Sequence, residues 1–304
     1  MSNSITVLGI FVADLCFIGK EIPNIGQTQT GDIFQIGPGG KGSNQAITVA
    51  KLSGDVNFIS RLGDDEYGRM ALEIYKSNNV KTDSIIKDKN EKTGVAGIFI
   101  DKKGNNSINV ITGAANNISK KDIDNNLDRI KNSKIFLTQL EIPINVTMYA
   151  LEKAKNNDCT TILNPAPAHI IDKKYFKLID YFTPNEKEAE FYLNKKIESE
   201  EEIKKAAKDL LNLGIKNVII TLGEKGAYFK NHNEEYFVDT YKLTDKVVDT
   251  TGAGDVFNGA LAFAIANDKL IKEAIIFANK VAAISTTKLG AANSIPTIDQ
   301  VNSK

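Results

Sequence analysis

The sequence predicts an α/β fold: a central, mostly parallel sheet flanked by helices on both faces, with a small antiparallel β-flap acting as a lid. Three observations lead there. Short apolar runs rich in β-formers alternate with helical patterns along most of the 304 residues, and strands of that kind need helices on both faces to bury them. Two regions break the alternation with short strands and no intervening helix. No Pro/Gly-rich linker, internal repeat or low-complexity stretch divides the chain. Residues 1–304 therefore read as one domain, with lid strands from about 14–36 and 94–112.

The first element is Ile5-Thr-Val-Leu-Gly-Ile-Phe11, an apolar run expected to form a buried strand that ends near Asp14. A glycine-rich segment then leads into an expected helix over Ser43–Leu52. Further strands are predicted at Val56–Ser60, Lys134–Thr138, Thr160–Leu163, Tyr181–Thr183 and Asn217–Thr221. The second lid region reads as Gly94–Asp101 followed by Asn106–Thr112, separated by turn-forming Lys, Gly and Asn. The clearest helix starts at Ser199, with Glu202 completing a capping box. It presents Ile203, Ala206, Ala207, Leu210 and Leu211 as one apolar stripe and is expected to close at Gly214. The apolar run Val256 to Ala266 reads as a further helix, beginning at a glycine turn.

Composition narrows the function. Apolar residues make up 42% of the chain, enough for a substantial core. Lys+Arg and Asp+Glu both number 38, so no basic excess is present to hold a nucleic-acid backbone. The expected partner is a small molecule, with no nucleic acid and no membrane. The N-terminus lacks a basic n-region, and the run around Ala260 to Ala266 is well short of the roughly 18 residues of a membrane span. Cys16 and Cys159 are too few and too far apart for a disulfide framework, which suits a cytoplasmic location. With only His169 and His232, a multi-histidine metal centre is excluded and a His-based triad is disfavoured.

Two motifs carry chemistry. In Asp249-Thr-Thr-Gly-Ala-Gly-Asp255, Gly252 and Gly254 let the backbone turn tightly against a ligand, and the following helix presents unpaired N–H groups to an anion. Asp255 stands at the same place, positioned to take a proton from an attacking hydroxyl. The plainer alternative is a strand-to-helix connection with Asp255 as a first-turn charge. The second motif, Gly37-Pro-Gly-Gly-Lys-Gly-Ser-Asn44, formally matches the dinucleotide pattern G-x-G-x-x-G but does not directly follow the first strand. It is not a phosphate-binding P-loop either, since Lys41 precedes Gly42 rather than Ser or Thr. A backbone cradle with Lys41 and Asn44 as donors suits a sugar; the alternative is a glycine turn with a solvated lysine.

Together, Gly39-Gly-Lys-Gly-Ser-Asn-Gln-Ala46 and Asp249-Thr-Thr-Gly-Ala-Gly-Asp255 resemble the two signatures of the ribokinase (PfkB) family of carbohydrate kinases. The resemblance continues through Gln139-Leu-Glu141, Asn164-Pro-Ala-Pro-Ala168, Thr183-Pro-Asn-Glu-Lys-Glu188 and Ile220-Thr-Leu-Gly-Glu-Lys-Gly226, and so covers nearly the whole chain. It implies ATP-dependent phosphorylation of a primary hydroxyl of a pentose, ribose first, with 2-deoxyribose, another sugar or a nucleoside as alternatives. Asp14, Gly40, Lys41, Asn44 and Glu141 would hold the sugar. Asp255 would be the base, and the N–H groups of Gly252, Ala253 and Gly254 would form the anion hole. Asn185, Thr221, Gly223, Gly254 and Asn279 would line the nucleotide site. Glu188 would help hold Mg²⁺, through water. A monovalent cation, K⁺ by resemblance, would sit among Asp249, Thr251, Ser285, Lys288, Gly290 and Ser294. The lid would also pair two subunits, giving a homodimer.

Each of these positions has a structural alternative. Glu141 can cap a helix, Asn185 can be the N-cap of the helix carrying Glu188, and Asp249 can be a turn carboxylate. Asp14 is harder to explain that way, because an acidic residue beside Leu15, Cys16 and Phe17 needs a polar partner. One position departs from the family pattern: Val12 stands where Asn is typical, two residues before the sugar-binding aspartate. An apolar side chain offers no donor or acceptor to a hydroxyl, which favours a ligand lacking or repositioning one, such as a deoxysugar. Two readings of other classes remain, a dinucleotide-dependent oxidoreductase and a non-catalytic sugar-binding module. The misplaced glycine pattern argues against the first and the intact Asp255 loop against the second.

Overall fold

The computed structural model describes residues 3–304. The main sheet contains β1 (Ile5–Leu8), β4 (Val56–Gly63), β5 (Ile85–Asp88), β8 (Ile135–Thr138), β9 (Thr160–Leu163), β10 (Tyr181–Phe182), β11 (Asn217–Thr221), β12 (Ala227–Lys230) and β13 (Glu235–Val238). Their order is β13-β12-β11-β10-β9-β8-β1-β4-β5, parallel except for the β11-β12-β13 edge. The helices are α1 (Lys41–Lys51), α2 (Glu66–Ser77), α3 (Lys120–Asn125), α4 (Leu127–Lys131), α5 (Ile144–Lys155), α6 (Glu186–Leu193), α7 (Glu200–Leu211), α8 (Ala253–Ala266), α9 (Ile271–Ser285), α10 (Ala291–Ser294) and α11 (Ile298–Asn302).

Two apolar clusters fill the two faces of the sheet. One includes Val49, Phe58, Tyr75, Leu261 and Ile275; the other includes Phe136, Leu151, Phe182 and Leu210. Strand β1 pairs with β4 on one side and β8 on the other, so the chain changes direction across the sheet there. In open α/β sheets the crevice beyond the strand ends at such a switch point is where ligands bind.

The second sheet is the lid: β2 (Val12–Ile18), β3 (Ile33–Gly39), β6 (Thr93–Ile100) and β7 (Asn106–Gly113), ordered β3-β2-β6-β7. Its outer pairs are antiparallel and its central pair, β2 with β6, is parallel. Residues 19–32 form a loop between β2 and β3.

Several boundaries differ from the sequence-based expectation. The run Ile5–Phe11 is not one strand: β1 stops at Leu8 and the chain enters the lid at Val12. Asp14 is therefore inside a lid strand, not at the end of β1. Both strands are buried there, so hydrophobicity alone cannot mark the crossing. The first helix begins at Lys41 rather than Ser43, after Gly40 at φ 89°. The last motif's helix begins at Ala253, after Gly252 at φ 75°, which puts Asp255 in its first turn. The Ser199 capping box forms as expected, but α7 ends at Leu211, and Gly214, at φ 107°, lies in the turn beyond. Edge strands β12 and β13 were not expected.

One glycine controls how the two motif helices meet. A Cβ on Gly259 would lie 2.7 Å from Gln45 O and from Thr48 Cβ, so α8 and α1 touch backbone to backbone. That close approach brings Asn44 within reach of Asp255.

Candidate active site

The loops after β1, β8, β9, β10 and β11 converge with the heads of α1 and α8. Asn44 Nδ2 donates to Asp255 Oδ2 at 2.9 Å, joining the two motifs directly. Both side chains are buried, and among the described residues Asn44 Oδ1 has no hydrogen-bond partner. The Lys41 N–H donates to Glu141 Oε2 at 2.8 Å. Asp14 packs its carboxylate against the bare Cα of Gly39, where any side chain would overlap it.

The electrostatics concentrate here. Burial pushes the Asp14 carboxyl up to about 6, with the neighbouring Asp255 adding to the rise. Burial likewise raises Glu141 to about 7, against the pull of the Lys41 charge and with a further push from Asp255 and Asp14. Lys41 shifts upward, chiefly through Asp255, with burial opposing and Glu141 and Glu188 assisting. Several carboxylates thus share one ammonium, an arrangement that attracts hydroxyl donors and keeps Lys41 charged.

Beside this cluster lies a cavity of about 220 Å³ lined by Lys41, Asn185, Glu188, Thr221, the Gly252–Asp255 loop and Asn258. The first turn of α8 forms its floor. Ala253 N donates to Thr250 O at 3.2 Å, so one of the three expected anion-hole donors is turned aside. Among the described residues no hydrogen bond uses the N–H groups of Gly252, Gly254 or Asp255. These are the free donors expected at a helix N-terminus. A Cβ on Gly254 would meet nothing within 4 Å, so the loop opens onto space a ligand can fill.

Asn185 is indeed the N-cap of α6: its Oδ1 accepts from Glu188 N at 2.8 Å, and Glu188 Oε2 accepts from Asn185 N at 2.9 Å. Both residues also line the cavity. Burial raises the Glu188 carboxyl, opposed by the Asn185 N–H and Lys41. Thr221 lies opposite, its N–H donating to Pro184 O at 2.9 Å, and exposed Gly223 turns the chain at φ 58°.

Other expected positions fall elsewhere. Asn279 is buried outside the cavity, its amide donating to the carbonyls of Val238 (3.2 Å) and Asp239 (3.1 Å) as a brace at the end of β13. Asp249 ties two loops together, accepting from Thr251 N and Gly290 N, each at 2.9 Å. Burial would raise the Asp249 carboxyl, but hydrogen bonds from Thr251 and Gly290 outweigh it and hold the group below the usual range. Ser285 and Ser294 turn their hydroxyls onto Ala282 O and Ala291 O, and Lys288 is exposed. Val12 is buried in the apolar cluster that also contains Ala96 and Ile98.

Residue-by-residue reading missed Asn164, Thr183 and Asn258, which also line the cavity. The sequence held a signal for each. Asn164 and Thr183 follow buried strands and precede proline, and Asn258 interrupts the apolar run of α8.

Comparison with known proteins agrees with this geometry. Residues 2–298 match the model of the pfkB family of carbohydrate kinases. The chain is 37% identical to the ribokinase of Staphylococcus aureus, covering 99% of each sequence. It is 34% identical to the deoxyribokinase of Salmonella typhi, covering 98% of this chain and 97% of that one. The structure of Arabidopsis thaliana ribokinase complexed with ribose and ATP superposes with a TM-score of 0.92 at 30% identity, covering 100% of this chain and 98% of that one.

Proposed function

The chain belongs to the pfkB family of carbohydrate kinases, and from that premise we propose that it moves the γ-phosphate of ATP to the primary hydroxyl of D-ribose. The observation that carries this reading is the Asn44–Asp255 hydrogen bond, which sets the polar cradle of one motif against the anion loop of the other. In that arrangement Asp14, Gly40, Lys41, Asn44 and Glu141 hold the sugar. Asp255, steadied through Oδ2 by Asn44, takes the proton from the attacking hydroxyl. The Gly252–Gly254 loop, with the free Asp255 N–H, stabilises charge on the transferring phosphoryl group. Asn185, Thr221 and Gly223 border the nucleotide, whereas the Asn279 side chain supports the wall behind it.

Two ions suit the residues present. Glu188 and Asn185 fit Mg²⁺ held mainly through water and phosphate: among the described residues no group of three acidic, His or Cys side chains forms a protein cage. Mg²⁺, when bound, neutralises phosphate charge. The ionised Asp249, linking the Thr251 and Gly290 segments, fits a monovalent cation such as K⁺, which would order the adjoining glycine loop. Ser285, Lys288 and Ser294 would contribute through their backbone. The free cysteines suit a reducing cytoplasm, and the exposed aromatic face of the lid, formed by Phe17, Phe34 and Phe99, suits a homodimer.

A second acceptor has its own support. Buried Val12 offers no polar atom, and a deoxyribokinase stands among the relatives, so 2-deoxyribose is the rival to ribose. ADP release measured against pentoses, hexoses and nucleosides, with and without K⁺ and Mg²⁺, tests both. Ribose or deoxyribose should dominate, and the absence of turnover with any sugar would overturn the reading. Val12→Asn should shift kcat/KM toward ribose by roughly 10-fold; an unchanged preference would remove Val12 from the account.

A further inference from the structure

A row of buried amides runs beneath the cleft, and none of its hydrogen bonds is needed by the mechanism above. Gln139 Nε2 donates to Gln45 Oε1 (2.5 Å), Gln45 Nε2 to Asn164 Oδ1 (3.3 Å), and Asn164 Nδ2 to Thr183 O (3.3 Å). Thr183 Oγ1 then donates to Asn258 Oδ1 (2.6 Å), and Asn258 Nδ2 to Gly254 O (2.8 Å). All five side chains are at most 6% exposed.

Chemistry fixes the direction of the row. Main-chain carbonyls only accept, so Asn164 and Asn258 must turn their NH₂ groups toward them. Asn258 Oδ1 then faces Thr183, whose hydroxyl must donate, and each amide upstream is oriented in the same way. Burying so many polar groups is costly unless they are paired, and along the row only Gln139 Oε1 lacks a partner among the described residues.

The row ends on the peptide between Gly254 and Asp255. In a trans peptide the C=O of one residue and the N–H of the next point in opposite directions. Anchoring Gly254 O on the helix side therefore keeps the unpartnered Asp255 N–H directed away from the helix body, toward the head of α8. With Gly252 as N-cap and Gly254 in the first turn, this end of α8 is conformationally loose by itself, so a side chain held by Thr183, from outside the helix, has something to restrain.

We propose that Asn258, oriented by Thr183, is a positioning residue for phosphoryl transfer, holding the Gly254–Asp255 peptide so that the donors of the anion loop are set before the reaction. The inference rests on the kinase reading. Both side chains border the cavity, but the role proposed for them is exerted through the loop, by the hydrogen bonds that end on Gly254 O.

The test compares Thr183→Val, Thr183→Ser and Asn258→Ala with wild type in full-length enzyme, with folding followed by thermal melts. Thr183→Val keeps the side chain's shape and removes the donor, and should lower kcat roughly 10-fold with KM for sugar and ATP within about 3-fold. Asn258→Ala should lower it further, and Thr183→Ser should retain most of it. Binding of ADP with aluminium fluoride and sugar should weaken in parallel with kcat, while binding of ADP alone stays unchanged. Wild-type kcat in folded Thr183→Val and Asn258→Ala, or equal loss of ADP and ADP–aluminium fluoride binding, would overturn the proposal. Wild-type enzyme that phosphorylates no sugar would instead overturn the kinase reading, and this inference with it.

Discussion

The lid and the main sheet are both β-structures, yet they end their burial differently. The central strands of the main sheet are covered on both faces, with Ile5, Val7, Leu8, Phe136 and Leu137 fully buried. The lid buries only part of its apolar surface. Phe17, Phe34 and Phe99 remain 41%, 55% and 40% exposed, with Phe17 packed on the other two at ring centroids 5.1 and 5.3 Å apart. The sheet is a finished scaffold, whereas the lid is a layer with one face still uncovered. The catalytic chemistry is assigned to the finished part and part of the sugar contact to the unfinished one.

The sharpest way to test that division is at Asp255, on the side of the main sheet. Asp255→Asn should lower kcat by roughly 10²-fold or more while nucleotide affinity, measured by calorimetry, stays near wild type. Near-normal turnover would take the base away from α8. Gly259→Ala attacks the scaffold itself, since the new methyl meets Gln45 O and Thr48 Cβ. Overpacking of that kind should cost about 1–3 kcal/mol in a denaturant melt and lower kcat as well, by separating Asn44 from Asp255. A melt unchanged from wild type would mean that α1 and α8 have room to give.

Glu141 probes the seam between the two parts. Its carboxyl is raised from 4.5 to about 7 in the folded protein, chiefly by burial. The protonated form is therefore the one the fold favours, so its stabilising contribution is complete below pH 4.5 and is lost as pH rises through about 7. Relative to Glu141→Gln, which cannot ionise, wild type without ligand should lose on the order of 1–3 kcal/mol across that window. Parallel pH–stability curves would refute it. Asp14, proposed above as a sugar ligand and raised to about 6, accepts hydroxyls more strongly once ionised, so on that proposal KM for the sugar should fall as pH rises through that value. The smallest change in stability is expected on the lid: Phe34→Glu should convert a dimer to a monomer by light scattering while the melting free energy moves by about 0.5 kcal/mol or less. A wild-type monomer would show that the exposed aromatic face has another use.

The same division explains what could be read from the chain. The scaffold was largely legible because its signals are local: apolar runs for β9 and β11, the Ser199–Glu202 box for α7, and glycines bracketing the anion loop. The crossing from β1 into the lid was not, since Ile10, Phe11 and Val12 are buried on both sides of it and their hydrophobicity carries no break. Lys41, Asn44 and Asp255 stood out only as parts of motifs, and Asp14 only as an acidic residue among apolar neighbours. The amide row escaped notice because its members lie in five separate segments, and pairing between them is a property of the folded chain. The hydrogen bonds of Asn279 to the carbonyls of Val238 and Asp239 were illegible for a related reason: a buried amide reads the same in sequence whether it serves a ligand or a neighbouring carbonyl.

Asp14 belongs to β2 and Asp255 to α8, so the two acidic groups on either side of the expected sugar are carried by different bodies. Any movement of the lid against the main sheet would change the distance between them. Capture and discharge of the sugar would then follow the same path in opposite directions, and a mutation that merely stiffens the joint would slow the enzyme's cycle without touching a single ligand contact.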